Sequence, residues 1–238
     1  MSNLDLAAST TAGELDPVWR SVSRSAAFEA FEAGSMPDQS EEIWRYVDLD
    51  FDLNSFSTAM PNGPDLGDDP LLDHLTHPFA VRVVGDVYVG ADRVDEGFAV
   101  MSLRRAVIDH PDAVREVVER VGVSARDGIF AAAAGAFGGD GVFVHVGPSV
   151  VAPSVVAIDL HAGADGSVTF PAVVVSAEEH ADVSIVVHLR SHADADTIVV
   201  PQFSTVVGAG ARVSLSLVQN LGYSARSLGY LRSEVGAD

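Results

Sequence analysis

Four apolar residues in the second half of this 238-residue chain, Val168, Val183, Ile198 and Val213, stand at equal intervals of 15. Two positions after each come Phe170, Ile185, Val200 and Leu215, and two further on Ala172, Val187, Gln202 and Leu217. Immediately before the frame stand Ser167, Asp182, Thr197 and Arg212, all polar. Small or turn-forming residues precede the strands: Gly163-Ala164-Asp165-Gly166, Ala181, and Gly208-Ala209-Gly210-Ala211. Alternation with a period of two inside a longer fixed period is the pattern of a β-solenoid, whose layers stack at about 4.8 Å. A β-sandwich with evenly spaced strands is the competing arrangement. The lattice predicts that residues 168, 183, 198 and 213 lie over one another, rung by rung, in a common interior. A single rung cannot bury its apolar face, so such an array needs neighbours and caps.

The first half reads differently. Asp16-Pro17 is expected to open a helix, with Asp16 as N-cap and Gly34 closing it. Ser40 is expected to cap a shorter helical turn over 41–46, and the Pro-, Gly- and Asp-rich stretch 54–73 reads as an exposed loop. Residues 80–84 and 87–90 flank Gly85-Asp86 as a hairpin, with 98–103 a third strand. Pro111 begins a helix with Val114, Val117, Val118 and Val121 on one face, ended by Gly122, and 129–137 is an Ala-rich third helix. The fold class that follows is mainly β with an α+β N-terminal region: helices and a small β unit over 1–126, then a β-solenoid core over 127–238.

Composition removes several functions. All 14 basic residues are Arg against 34 acidic ones, a formal net charge of −20, and the chain has neither Lys nor Cys. No Walker lysine, Schiff base, thiol nucleophile or thiolate ligand is available. The charge argues against nucleic acid, which requires a basic stripe. The start lacks a basic leader, and the longest apolar stretches, 129–136 and 150–158, are too short to span a bilayer, so a cytoplasmic chain with no membrane contact is expected.

Three stretches carry a family resemblance. Glu41-Glu42-Ile43-Trp44-Arg45-Tyr46-Val47-Asp48-Leu49 is similar to the Glu-x-Trp-Arg-Tyr-Thr-x-Leu element of the SufB/SufD iron–sulfur cluster assembly proteins, with Val47 where Thr is usual. Ile129-Phe130-Ala131 through Asp140-Gly141-Val142-Phe143-Val144-His145-Val146 resembles the family's helix and entry into the core, and 173–211 its strand rhythm. The likeness is closest to SufD. It implies a right-handed parallel β-helix behind N-terminal helices, and a non-catalytic scaffold subunit that pairs with a SufB-like chain through that β-helix. It also implies a SufC-like ATPase, although the region that usually binds it is missing here. The cluster-related histidine of the family falls beyond Asp238, so no cofactor ligand is carried over: the chain alone binds no cofactor, and the assembled complex handles the cluster. Trp44, Arg45 and Tyr46 are the family-motif residues. With no polar cap before Asp238, the last β unit is expected either to be covered by a partner or to continue in a longer protein.

Other constellations have plainer readings. Asp48-Leu49-Asp50-Phe51-Asp52 begins like a calcium loop but has Leu53 for the required Gly and Ala59 for the closing Glu. His192-Ala193-Asp194-Ala195-Asp196 offers ligand types but reads as solvated turn residues. His180 and His192 are too far apart along an extended strand, about 26 Å over eight residues, to share a metal. His188 has outward parity and is expected at the surface or facing a partner. His74 and His77 have helical ligand spacing but no third ligand. Gly222-Tyr223-Ser224-Ala225-Arg226 lacks the last glycine of a nucleophile elbow. No catalytic residue stands out. The rival functions are a β-solenoid carbohydrate enzyme using acids such as Asp182, Asp194 and Asp196, and a purely structural interaction module.

Overall fold

The computed structural model describes residues 4–47, 49–58, 66–67 and 69–237. Asp48, Ala59 and the terminal Asp238 of the readings above lie outside the described residues. Helix α1 (Leu6–Ala12) is capped by Asp5, whose carboxylate accepts the Ala8 N–H at 3.0 Å. Helix α2 (Val18–Ala33) begins one residue later than expected: Pro17 is its N-cap, and Asp16 spends its carboxylate on Arg24 at 2.8 Å instead of on the helix end. Residues 41–46 form successive turns rather than a helix. A segment of six residues gains too few hydrogen bonds to offset helix nucleation.

Strand β1 (Ser57–Thr58) is followed by the hairpin β2 (Phe79–Val84) and β3 (Val87–Val89), whose turn places Gly85 at φ +62°. Strands β4 (Arg93–Asp95) and β5 (Phe98–Ser102) lead into helices α3 (Leu103–Asp109), α4 (Pro111–Val121) and α5 (Ile129–Phe137), and β6 (Gly141–Val146) returns to the sheet beside β5. Segment 54–73 is not simply exposed: Phe56, Asp69 and Leu72 are buried, and β1 pairs with the solenoid.

Three solenoid turns follow. The first is β7 (Val156–His161), β8 (Ser167–Thr169) and β9 (Ala172–Ala177). The second is β10 (Asp182–Arg190), β11 (Ile198–Val199) and β12 (Gln202–Val207), and the third β13 (Arg212–Asn220), β14 (Arg226–Ser227) and β15 (Tyr230–Val235). Pairing between turns is parallel throughout, giving sheets β1-β8-β11-β14, β13-β10-β7-β2-β3 and β15-β12-β9-β6-β5-β4. Strands β2 and β6 are thus the layer on which the first turn stacks, so the small β unit of the N-terminal half is built into the solenoid sheets.

The lattice expectation needs correction. A turn takes about thirty residues: Val183 stacks on Val213 and Val168 on Ile198. The interval of 15 therefore alternates between two sheets. Val183 packs in the solenoid interior with Val156, Ile158, Leu160 and Val175, and Val213 lies against that cluster. Val168 and Ile198, with Phe170 and Val200, instead face outward and pack with Phe130 and Phe137 of α5. Val199, between them, points into the interior. A sheet covered on both faces carries a continuous apolar run, and Ile198-Val199-Val200 is one, so alternation cannot tell which side is inside.

Helix α4 buries Val114, Val117 and Val121 against the outer face of the third sheet, on Phe143, Val174 and Val206, while Val118 is left 38% exposed. Arg120 of α4 bridges Glu116 of its own helix and Glu234 of β15. Arg232 of β15 reaches Asp127 at 2.7 Å and the Gly122 carbonyl at 3.3 Å. The helical layer is thereby tied to the last turn of the stack.

Candidate interaction surface and a buried charge cluster

Parallel stacking puts side chains of equal parity in rows. On the outer face of the sheet containing β2, β7 and β10, one row is Arg82, Asp159 and His188, and the next is Val84, His161 and Arg190. Arg190 grips Asp159 with two hydrogen bonds, Nε at 2.9 Å and Nη2 at 2.7 Å. Arg82 Nε donates to the same carboxylate at 3.2 Å, and His161 Nε2 lies 2.7 Å from it. Residues 67 and 69 close over this face. Asp69 meets His188 Nδ1 at 2.8 Å, and the Gly67 carbonyl accepts from Arg190 at 3.1 Å and from Arg82 at 3.3 Å.

Asp159, Asp69, His161, His188 and Arg190 are all buried. Burial alone would raise the Asp159 pKa. Hydrogen bonds from His161 and Arg190, with the charges on those groups, overcome this and hold it down at about 2. His161 Nε2 is also 2.9 Å from Arg190 Nη2, yet one ring nitrogen cannot both accept from Arg190 and donate to Asp159. The shorter contact to the carboxylate assigns the proton to Nε2, leaving Nδ1 buried without a partner. The cluster is a charge-compensated clamp that ties Gly67 and Asp69 to the sheet. Among the described residues no three His, Asp or Glu side chains are placed to hold a metal ion.

Of the motif residues, Trp44 packs its ring on Phe130 with centroids 5.7 Å apart, while Arg45 lies over the ring of the exposed Tyr46. Trp44 therefore anchors the segment and Arg45-Tyr46 face outward. His188 has the predicted outward parity but is covered, because Asp69 sits on it; it is not a surface histidine. His180 and His192 are exposed and sit in corner turns at opposite ends of β10. His74 ends a short 3₁₀ turn and His77 lies beyond it, so the helical spacing they needed does not form. Asp182 faces Arg212, and Asp196 pairs with Arg226, which also approaches Asp50 at 3.8 Å. Asp52 caps a 3₁₀ turn by accepting the Asn54 N–H. Residues 222–225 form a corner turn.

Among the described residues, β13, β14 and β15 pair on one side only. Val213 and Leu215 are partly buried against the interior cluster, but Leu217, Leu231 and Val235 are exposed by 38%, 60% and 68%. All five occupy inward positions, stacked on Val183, Ile185, Val187, Phe203 and Val207 of the previous turn. Strands β13 and β15 also present a free row of backbone N–H and C=O groups, a template for a further parallel strand. No helix among the described residues is long and apolar enough to cross a membrane. Neither the protein-family models nor the curated protein sequences contain a match to this chain.

Proposed function

We propose that this chain is a scaffold subunit of the SufB/SufD type, joined through its last solenoid turn to a second β-solenoid chain, in a complex whose cargo is a nascent iron–sulfur cluster. The observation that carries the docking part is the row of exposed inward positions, Leu217, Leu231 and Val235, beside two open strand edges. A stacked layer of matching period would cover the side chains and pair the backbone at once. The iron–sulfur part rests on the resemblance of 41–49 and 129–146 and on the parallel solenoid they lead into. The carbohydrate-enzyme reading is the rival: of its acids, Asp196 is hydrogen-bonded to Arg226, Asp182 lies 3.8 Å from Arg212, and Asp194 is exposed.

The test is co-expression of the tagged chain with SufB-like and SufC-like proteins, followed by affinity purification and reconstitution with iron and sulfide. Stable co-purification, an iron–sulfur absorbance in the complex, and loss of both with Leu217→Asp/Leu231→Asp at unchanged circular dichroism are expected. Binding without any cluster would leave a structural module and refute the iron–sulfur part. Absence of binding would refute the whole reading.

A further inference from the structure

A second feature is separate from the charge cluster. Residues of α2, α4 and α5 line a groove of about 670 Å³ whose floor includes Val174 of β9 and Gln202 of β12. Its walls combine apolar side chains, Trp19 and Ala30 from α2 and Val114 and Val118 from α4, with charged ones that include Arg115, Glu119 and Arg126. The volume falls within the range of small-molecule sites. One polar group here is unusual. The Arg20 side chain lines the groove, is only 20% exposed, and makes no hydrogen bond among the described residues. Its nearest acid, Asp16, is 3.4 Å away and is already hydrogen-bonded to Arg24 at 2.8 Å.

Asp16 Oδ1 faces Arg20 while Oδ2 accepts from Arg24, so the two arginines share one carboxylate. Arg24 donates from Nε to Asp16 and from Nη1 to the carbonyls of Ala136 and Gly138. Asp140 is spent on the Ser102 hydroxyl and on the N–H groups of Arg104 and Gly141. Burial is the largest influence and pushes the Arg20 pKa down; Asp16 and Asp140 oppose the shift, and Arg24 and Arg104 add to it. A guanidinium four-fifths buried, whose nearest acid is shared with Arg24, can grip a planar oxyanion with two parallel hydrogen bonds. The net charge of −20 selects among oxyanions, because the chain as a whole repels polyanions.

We propose that this groove binds a monocarboxylic acid with an apolar body, its carboxylate on Arg20 and its chain or ring along Trp19, Val118 and Val174. Gln202, whose side chain makes no hydrogen bond among the described residues, lies on the same floor and can donate to the second carboxylate oxygen. The inference is independent of the scaffold reading.

Calorimetric titration of the intact chain with decanoate and with decanol, below their aggregation concentrations, tests it. One saturable site for decanoate is expected, with decanol weaker by about tenfold or more, the loss associated with a charged hydrogen-bonding partner. Arg20→Gln should bring decanoate to the decanol level and leave decanol unchanged. Ala30→Trp, which narrows the groove from an incompletely buried position, should abolish both. Circular dichroism reports folding of each variant; if Ala30→Trp does not fold, the decanoate/decanol comparison in Arg20→Gln decides. Equal affinity for the two probes, no saturable site, an unaffected Arg20→Gln protein, or inorganic phosphate competing equally well would each overturn the proposal.

Discussion

Replacing Asp159 by Asn tests the buried charge cluster at its centre. The substitution keeps the size of the side chain but removes the charge that faces Arg190 and Arg82. Asp159 is held near pKa 2 in the folded chain, against about 3.8–3.9 when unfolded. Because the folded pKa is the lower one, the contribution is complete above about pH 4 and is lost as pH falls towards 2. The difference corresponds to about 2.5 kcal/mol, at 1.36 kcal/mol per unit. Leaving a buried arginine uncompensated costs about 3–5 kcal/mol in comparable pairs, so a loss of about 2–5 kcal/mol at pH 7 is expected. Urea unfolding followed by the fluorescence of the two tryptophans measures it. The gap between native and variant protein should shrink by about 1 kcal/mol by pH 3, where protonation has begun to remove the same charge from the native chain. A variant within about 0.5 kcal/mol of the native protein at pH 7, or a gap independent of pH, would refute the account.

Asp86 should behave with the opposite sign. Desolvation pushes its pKa up to about 7, even though its carboxylate accepts the Phe170 N–H at 2.7 Å. The folded chain keeps this proton where the unfolded chain releases it, so stability falls as pH rises from about 4 to 7. Asp86→Asn, which retains the acceptor, should flatten that limb and gain about 2–4 kcal/mol at pH 8 in the same urea assay. Gly141→Ala should be poorly tolerated, since a Cβ there would collide with the carbonyl oxygen of Ala172 on the neighbouring strand. A loss of about 1–3 kcal/mol or more is expected in thermal melts, with full stability counting against the tight β6–β9 register.

Local features were legible in the sequence. Helix α5 occupies the predicted span, the Gly85-Asp86 turn joins β2 to β3, and α4 starts at Pro111. Each depends on residues within a few positions of one another. Features depending on distant packing were not. The interval of 15 was real, but it was half a turn, and only the placement of α5 over Val168 and Ile198 shows that this pair faces outward. The charge cluster left a faint trace: Asp159-x-His161 and His188-x-Arg190 break two apolar strands at matching positions. Their partner Asp69 lies 119 residues from His188, in a stretch whose composition resembles solvent-exposed loop, so nothing local announces the pair. Helices α1 and α3 escaped because each is only seven residues long.

Stacked-turn proteins commonly behave as one-dimensional chains, each layer answering only to its neighbours, so that the far end can peel away alone. Here Arg120 and Arg232 fasten the outermost layer to the helix and loop that precede the first one. Such a brace makes the end of the array feel the integrity of its beginning. Peeling that layer away must part these ion pairs as well as the strand ladders beneath it.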